Sequence, residues 1–113
     1  EDISGMTITA TFDAGPILIL ATLSAVSLDS TNSRAVFLVL VDGSVVYTNM
    51  QEWPNTGYQR RDVVMHAVTT VSAGSHTIKL QWYRDSTASG TTLYCGLNNT
   101  AGNTNRSLSV IEL

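Results

Sequence analysis

Apolar side chains recur at every second position through most of this chain. Met6-Thr-Ile-Thr-Ala-Thr-Phe12 alternates cleanly. Between Ser75 and Arg84, His76, Ile78, Leu80 and Trp82 alternate with Thr77, Lys79, Gln81 and Tyr83. Between Asp62 and Val71, Val63, Met65 and Ala67 fall on one face and Val64, His66 and Val68 on the other. A period of two is that of an extended strand, whose successive side chains point to opposite faces. No apolar i, i+3, i+4, i+7 series is long enough for a helix. The chain is therefore expected to fold from strands alone.

Turn signals divide it into eight strands. Ala14-Gly15-Pro16 breaks the first from a long strand, Ile17 to Leu28, which is expected to kink or bulge. Asp29 to Ser33 is a polar loop. Arg34 to Val41 is apolar after its first residue, so both of its faces should be covered. Asp42-Gly43 is the strongest hairpin signal, because a type I′ turn needs the positive φ that glycine adopts freely, and Ser44 to Thr48 returns as the partner. Gln51 to Arg61 reads as a polar loop, Ser72-Ala-Gly74 as a turn, Thr91 to Leu97 and Arg106 to Leu113 as the last strands.

Eight antiparallel strands in one domain of 113 residues predict a two-sheet sandwich of jelly-roll type. An immunoglobulin-like sandwich is a poorer fit, since the single cysteine, Cys95, cannot form the usual core disulfide. The domain is expected over residues 6–113, with Glu1 to Gly5 as an N-terminal arm outside the strand pattern. The chain begins at Glu1 rather than Met, as it would if a leader or an N-terminal domain had been removed.

Three segments, Ile17–Leu20, Ala35–Val41 and Val63–Val68, are apolar or nearly so on both faces. A sandwich buries one face per strand, so the surplus predicts a second buried surface made by self-association. Phe37, Val39, His66 and Leu113 are the candidate interface residues. A homotrimer is the assembly expected by analogy of fold.

Charge narrows the function classes. Only 13% of residues are charged and the net charge is −3, against about 25% charged in ordinary domains. No basic surface for nucleic acid is available, and no apolar run approaches the roughly 18 residues of a membrane span.

Catalytic and metal-ligating patterns are also missing. His66 and His76 are the only histidines, and Asp29, Asp42, Asp62 and Asp85 are scattered, so neither zinc nor calcium spacing occurs and no cofactor is expected. There is no Gly-x-Ser-x-Gly elbow, and Glu52 has no second carboxylate nearby in sequence until Asp62. Cys95 alternates with Leu93 and Leu97 and reads as a small buried hydrophobe. The Asn98 and Asn105 sequons are expected by chance in so Ser/Thr-rich a chain. One segment has the makings of a glycan or partner contact: Trp53 and Tyr58 lie among amides and the guanidinium groups of Arg60 and Arg61. An aromatic face can stack on a sugar ring while such donors bond its hydroxyls; the alternative, which is favoured, is a loop whose Trp53 folds back over the sheet or contacts a neighbouring subunit.

The run Ala73-Gly-Ser-His-Thr-Ile-Lys-Leu-Gln-Trp82, followed by Arg106-Ser-Leu-Ser-Val-Ile-Glu-Leu113, resembles a recurring C-terminal pattern of tailed-bacteriophage structural proteins. Gly15-Pro-Ile-Leu-Ile19, and Asn32-Ser-Arg34 leading to Leu40-Val-Asp-Gly43, are similar to earlier parts of the same modules. The resemblance implies a trimeric, tumour-necrosis-factor-like jelly roll at the virion surface. It implies a decoration or stabilising protein of a capsid or fibre, docked on a major capsid or tail protein, or alternatively a receptor- or carbohydrate-binding spike tip meeting a host surface glycan. It transfers no catalytic residue.

Overall fold

A computed structural model describes residues 1–28, 33–53, 61–84, 93–95 and 106–113. They form eight β-strands and no helix: β1 Asp2–Phe12, β2 Gly15–Leu28, β3 Ser33–Val41, β4 Ser44–Trp53, β5 Arg61–Val71, β6 Gly74–Arg84, β7 Leu93–Cys95 and β8 Arg106–Glu112. All pairings are antiparallel. One sheet has the order β1-β6-β3-β4; in the other, β2 pairs with β5 on one edge and with β7 and β8 on the other. β7 pairs with Val26–Leu28 and β8 with Ile17–Leu23, so the two short strands lie end to end along β2.

The alternation decides which side chains meet between the sheets. Ile17, Ile19, Ala21, Leu23 and Val26 of β2 face Val63, Met65, Ala67 and Val71 of β5 on one inner surface. Ala35, Phe37 and Val39 of β3, with Ile78, Leu80 and Trp82 of β6, form the other. Each Val, Leu, Ile, Met or Phe among them contributes about 1.5–3 kcal/mol on burial. β2 keeps its inner face through a register shift between Leu23 and Val26, the irregularity expected in so long a strand.

The Asp42-Gly43 hairpin forms as its sequence requires. Asp42 has φ 49° and Gly43 φ 83°, so both central residues are left-handed as a type I′ turn demands. Aspartate tolerates this region better than most residues.

Two boundaries differ from expectation. Residues 2–5 are not an arm but the first part of β1: Asp2 pairs with Gln81, the Glu1 ammonium donates to the Trp82 carbonyl at 3.0 Å, and Ile3 is buried in the core. The alternation is hidden in sequence because the register shifts between Asp2 and Thr7, where Gly5 adopts φ 77°. β4 runs five residues past Thr48, to Trp53. The expected β7 span is described only at Leu93–Cys95, and the Cys95 side chain, Leu97 and both sequon asparagines lie outside what is described.

β3 is covered on both faces, as its composition requires. Its outward residues Val36 and Leu40 are only 4% and 6% exposed although they are not part of the core between the sheets. Met50 and Tyr83 flank Val36 in register, and Val45 and Lys79 flank Leu40. Phe37, by contrast, fills the centre of the core. Phe37→Ala is expected to lower the unfolding free energy by about 3–5 kcal/mol, measured by urea denaturation with an unchanged m-value.

Candidate functional site

The outer face of the β5-β2-β8 sheet mixes apolar and neutral polar side chains, with the exposed Asp62 at the β5 end beside Val64. Register sets its rows: Val64, Thr22 and Ser107; His66, Leu20 and Ser109; Val68, Leu18 and Ile111. A fourth row is Thr70 and Pro16, where the Leu113 amide donates to the Pro16 carbonyl at 3.1 Å. No Asp, Glu, Lys or Arg side chain occurs in these rows. Val64 and Val68 are 60% and 62% exposed, and Leu20, Ile111 and Leu113 are exposed as well. The apolar members of the rows, Val64, Val68, Leu18, Leu20, Ile111 and Pro16, are interspersed with Thr22, Thr70, Ser107, Ser109 and His66.

The interface residues expected from sequence therefore divide. His66 and Leu113 lie on or beside this surface, with the His66 ring also packed against Tyr47 of β4 at a centroid distance of 6.1 Å. Phe37 and Val39 do not: both are fully buried between the two sheets of their own subunit. Their strand is apolar on both faces, and sequence alone does not say which parity points inward. The apolar residues that the structure places on this outer surface are Val64, Val68, Leu18, Leu20 and Ile111.

The expected glycan-contact segment is likewise changed. Trp53 ends β4 on the inner side and is only 1% exposed. The Arg61 guanidinium lies 5.3 Å from its ring centroid, covering the aromatic face as a cation–π contact. Trp53 is thus part of the core and has no free face for a sugar ring. Tyr58 and Arg60 lie outside the described residues. The clue in the sequence was parity: Tyr47, Asn49, Gln51 and Trp53 share one face of β4, and the two amides that obscure the pattern bond each other, Gln51 Nε2 donating to Asn49 Oδ1 at 2.8 Å.

A second cluster was not assembled by sequence reasoning. It sits at one end of the sandwich, where the β3–β4 and β5–β6 turns meet. His76 Nδ1 is 2.6 Å from Asp42 Oδ2, and His76 Nε2 is 2.8 Å from the Ser72 carbonyl oxygen and 3.4 Å from Ser72 Oγ. Asp42 Oδ1 accepts the Thr77 backbone N–H at 2.8 Å, while the Asp42 N–H donates to the Thr77 carbonyl at 2.9 Å. β3 and β6 are neighbours, with Val41 opposite Ile78, so Asp42 and Thr77 extend that ladder by one step. A bond to Asp42 and then one to the Ser72 carbonyl raise the His76 pKa above its ordinary value. The bonds from His76 and from the Thr77 amide lower that of Asp42.

Serine, histidine and aspartate in this order suggest a hydrolytic relay, but proton placement opposes it. The Ser72 carbonyl is the nearer partner of Nε2, and a carbonyl only accepts. A ring that donates from Nε2 has no lone pair there to receive the Ser72 hydroxyl proton. Two further carboxylates are tied to neighbouring strands: Asp2 accepts from Gln81 Nε2 at 2.6 Å and lies 3.3 Å from Lys79 Nζ. Its pKa is lowered by the Gln81 bond first and then by Lys79. Glu52 stands opposite Arg34 in register, 3.9 Å away. Among the described residues no group of three His, Cys, Asp or Glu side chains could hold a metal ion.

No protein-family model matches the chain, and no curated protein matches it in sequence. The Trp53–Arg61 contact gives a direct check on the buried position of that aromatic. Trp53→Ala is expected to cost about 3–5 kcal/mol of stability and Arg61→Ala about 0.5–1 kcal/mol, both read from urea unfolding. An exposed, ligand-stacking tryptophan would instead tolerate alanine with little loss.

Proposed function

We propose that this chain is a non-enzymatic structural protein of a phage particle, a self-associating β-sandwich that decorates or stabilises a capsid or fibre surface. The observation that carries the reading is the exposure of Val64, Val68, Leu20 and Ile111 on the outer face of the β5-β2-β8 sheet, in rows that hold no charged side chain beyond Asp62 at their margin. Packing these rows against a second copy of the chain or another virion protein desolvates no Glu, Lys or Arg and leaves Asp62 at the margin. The motif resemblance at Ala73–Trp82 and Arg106–Leu113 supplies the particle context, and both segments fall in paired strands.

In this reading the unit is a homotrimer, closed so that the apolar faces are internal. One end docks on a major capsid or tail protein. The sandwich is of jelly-roll class, which eight strands shared between two sheets support; the β3–β4 hairpin, held within one sheet, is the feature that class must accommodate. The alternative of a carbohydrate-binding tip has no aromatic platform at Trp53, which is buried.

Sedimentation velocity tests the assembly. The protein is expected to run as one species of three chains, and Val64→Asp with Val68→Asp to run as a folded monomer, with the far-UV circular dichroism of the parent. A parent protein that stays monomeric at high micromolar concentration overturns the proposal.

A further inference from the structure

The corner cluster has a feature that the proposed structural role does not require. Both nitrogens of the His76 ring face oxygens that can only accept: the Asp42 carboxylate at 2.6 Å and the Ser72 carbonyl at 2.8 Å. A neutral imidazole has one N–H and would leave a lone pair against one of those oxygens; an imidazolium has two and satisfies both. The ring is held where this matters, since its side chain is only 12% exposed and packs against Phe12 at a centroid distance of 6.2 Å.

We propose that His76 is carried as a doubly protonated imidazolium which latches the β3–β4 turn to the β5–β6 turn, and that its deprotonation releases the Ser72 side of this latch. The proton that leaves is the one on Nε2, because the Nδ1–H···Asp42 bond is charge-assisted and shorter. The Nε2 lone pair then repels the Ser72 carbonyl and takes a hydrogen bond from Ser72 Oγ, which already stands 3.4 Å away. One proton thus exchanges a carbonyl acceptor for a hydroxyl donor and moves the β5–β6 turn. The Asp42 side holds in both states through the Thr77 amide, which keeps Asp42 in its left-handed conformation.

The charged groups around the ring set the direction. Asp42, from the β3–β4 turn, is the carboxylate in contact with it. β1 presents Phe12, and the Asp13 amide that follows is bonded to Glu112 Oε1 at 2.8 Å. The β5–β6 turn presents Ser72, and β6 continues with Thr77, followed by Ile78 and Lys79; Lys79 pairs with Asp2. The His76 pKa is raised on folding, so the latch is complete below the unfolded value of about 6.5 and is lost as pH rises through the higher folded value. The Asp42 pKa is lowered, so its part is complete above the unfolded value of about 3.9 and is lost as pH falls through the folded value. Between those limits both partners are charged.

Ring nitrogen NMR on the intact protein reads each step. At mildly acidic pH, His76 is expected to show protonated shifts at both Nδ1 and Nε2, and to titrate at higher pH than the same residue in the urea-unfolded chain. Asp42→Asn should lower that midpoint. Ser72→Ala should raise it, because the neutral ring loses its hydroxyl donor. A single protonated nitrogen at mildly acidic pH, a midpoint at or below the unfolded one, or an Asp42→Asn midpoint that does not fall overturns the imidazolium. A Ser72→Ala midpoint that falls or stays put overturns the exchange of partners. Neither arm depends on the oligomeric state, so the latch and the assembly stand or fail separately.

Discussion

The second sheet is organised by β2. It is the one described strand of that sheet with neighbours on both edges, β5 along one and β7 and β8 along the other. Its inner residues Ile17, Ile19, Ala21, Leu23 and Val26 are all essentially inaccessible to solvent. Fourteen residues of continuous strand let one segment align three others, and the register shift after Leu23 keeps the apolar side inward over that length. A slip of one residue would exchange the two faces of β2 and bury Thr22 and Ser24 in place of Ala21 and Leu23. The position of the outer surface depends on the same register, since Leu18 and Leu20 are the alternate residues of this strand.

Charge is placed where it does not compete with that packing. The described ion pairs lie at strand ends, turns and outer edges: Arg34 with Glu52, Asp2 with Lys79, and Asp42 with His76. The first is exposed and contributes little, on the order of 0–1 kcal/mol. What these pairs provide is position: Asp2 and Lys79 sit on the β1–β6 pairing, and Asp42 on the β3–β6 ladder. The core between the sheets is left to apolar side chains, while Lys79, Arg34 and Glu52 stand on the outer face of the first sheet. The rows from Val64 to Val68 on the outer face of the second sheet carry none of the chain's few charged side chains, with Asp62 at their margin.

Much of the architecture was legible from the period of two. The strand positions, the Asp42-Gly43 hairpin, the bulge in β2, the doubly covered β3 and the division of β5 into Val63/Met65/Ala67 and Val64/His66/Val68 all follow from alternation and turn chemistry. His76 opens the β6 alternation at one end of the sheet, and there it bonds Asp42. Its partner was not legible, because Asp42 is 34 residues away and reaches it only through the adjacency of β3 and β6. Trp53 was misplaced for a related reason. Asn49 and Gln51 look like loop residues until their mutual hydrogen bond is seen to satisfy them on a strand face.

By itself the sequence determined that the chain is built of antiparallel strands, and it settled the parity of every strand whose two faces differ in polarity. It could not settle the strands that are apolar on both sides. Val36 and Leu40 on β3 and Val64 and Val68 on β5 are equivalent as sequence, yet the first pair is nearly inaccessible and the second largely exposed. The difference is lateral. β3 lies inside its sheet, and side chains of both β4 and β6 close over its outer face; among the described strands β5 has a neighbour, β2, on one side only. Strand order is a property of long-range pairing, and only the tertiary structure decides which apolar surplus is covered within the subunit and which is offered outside it.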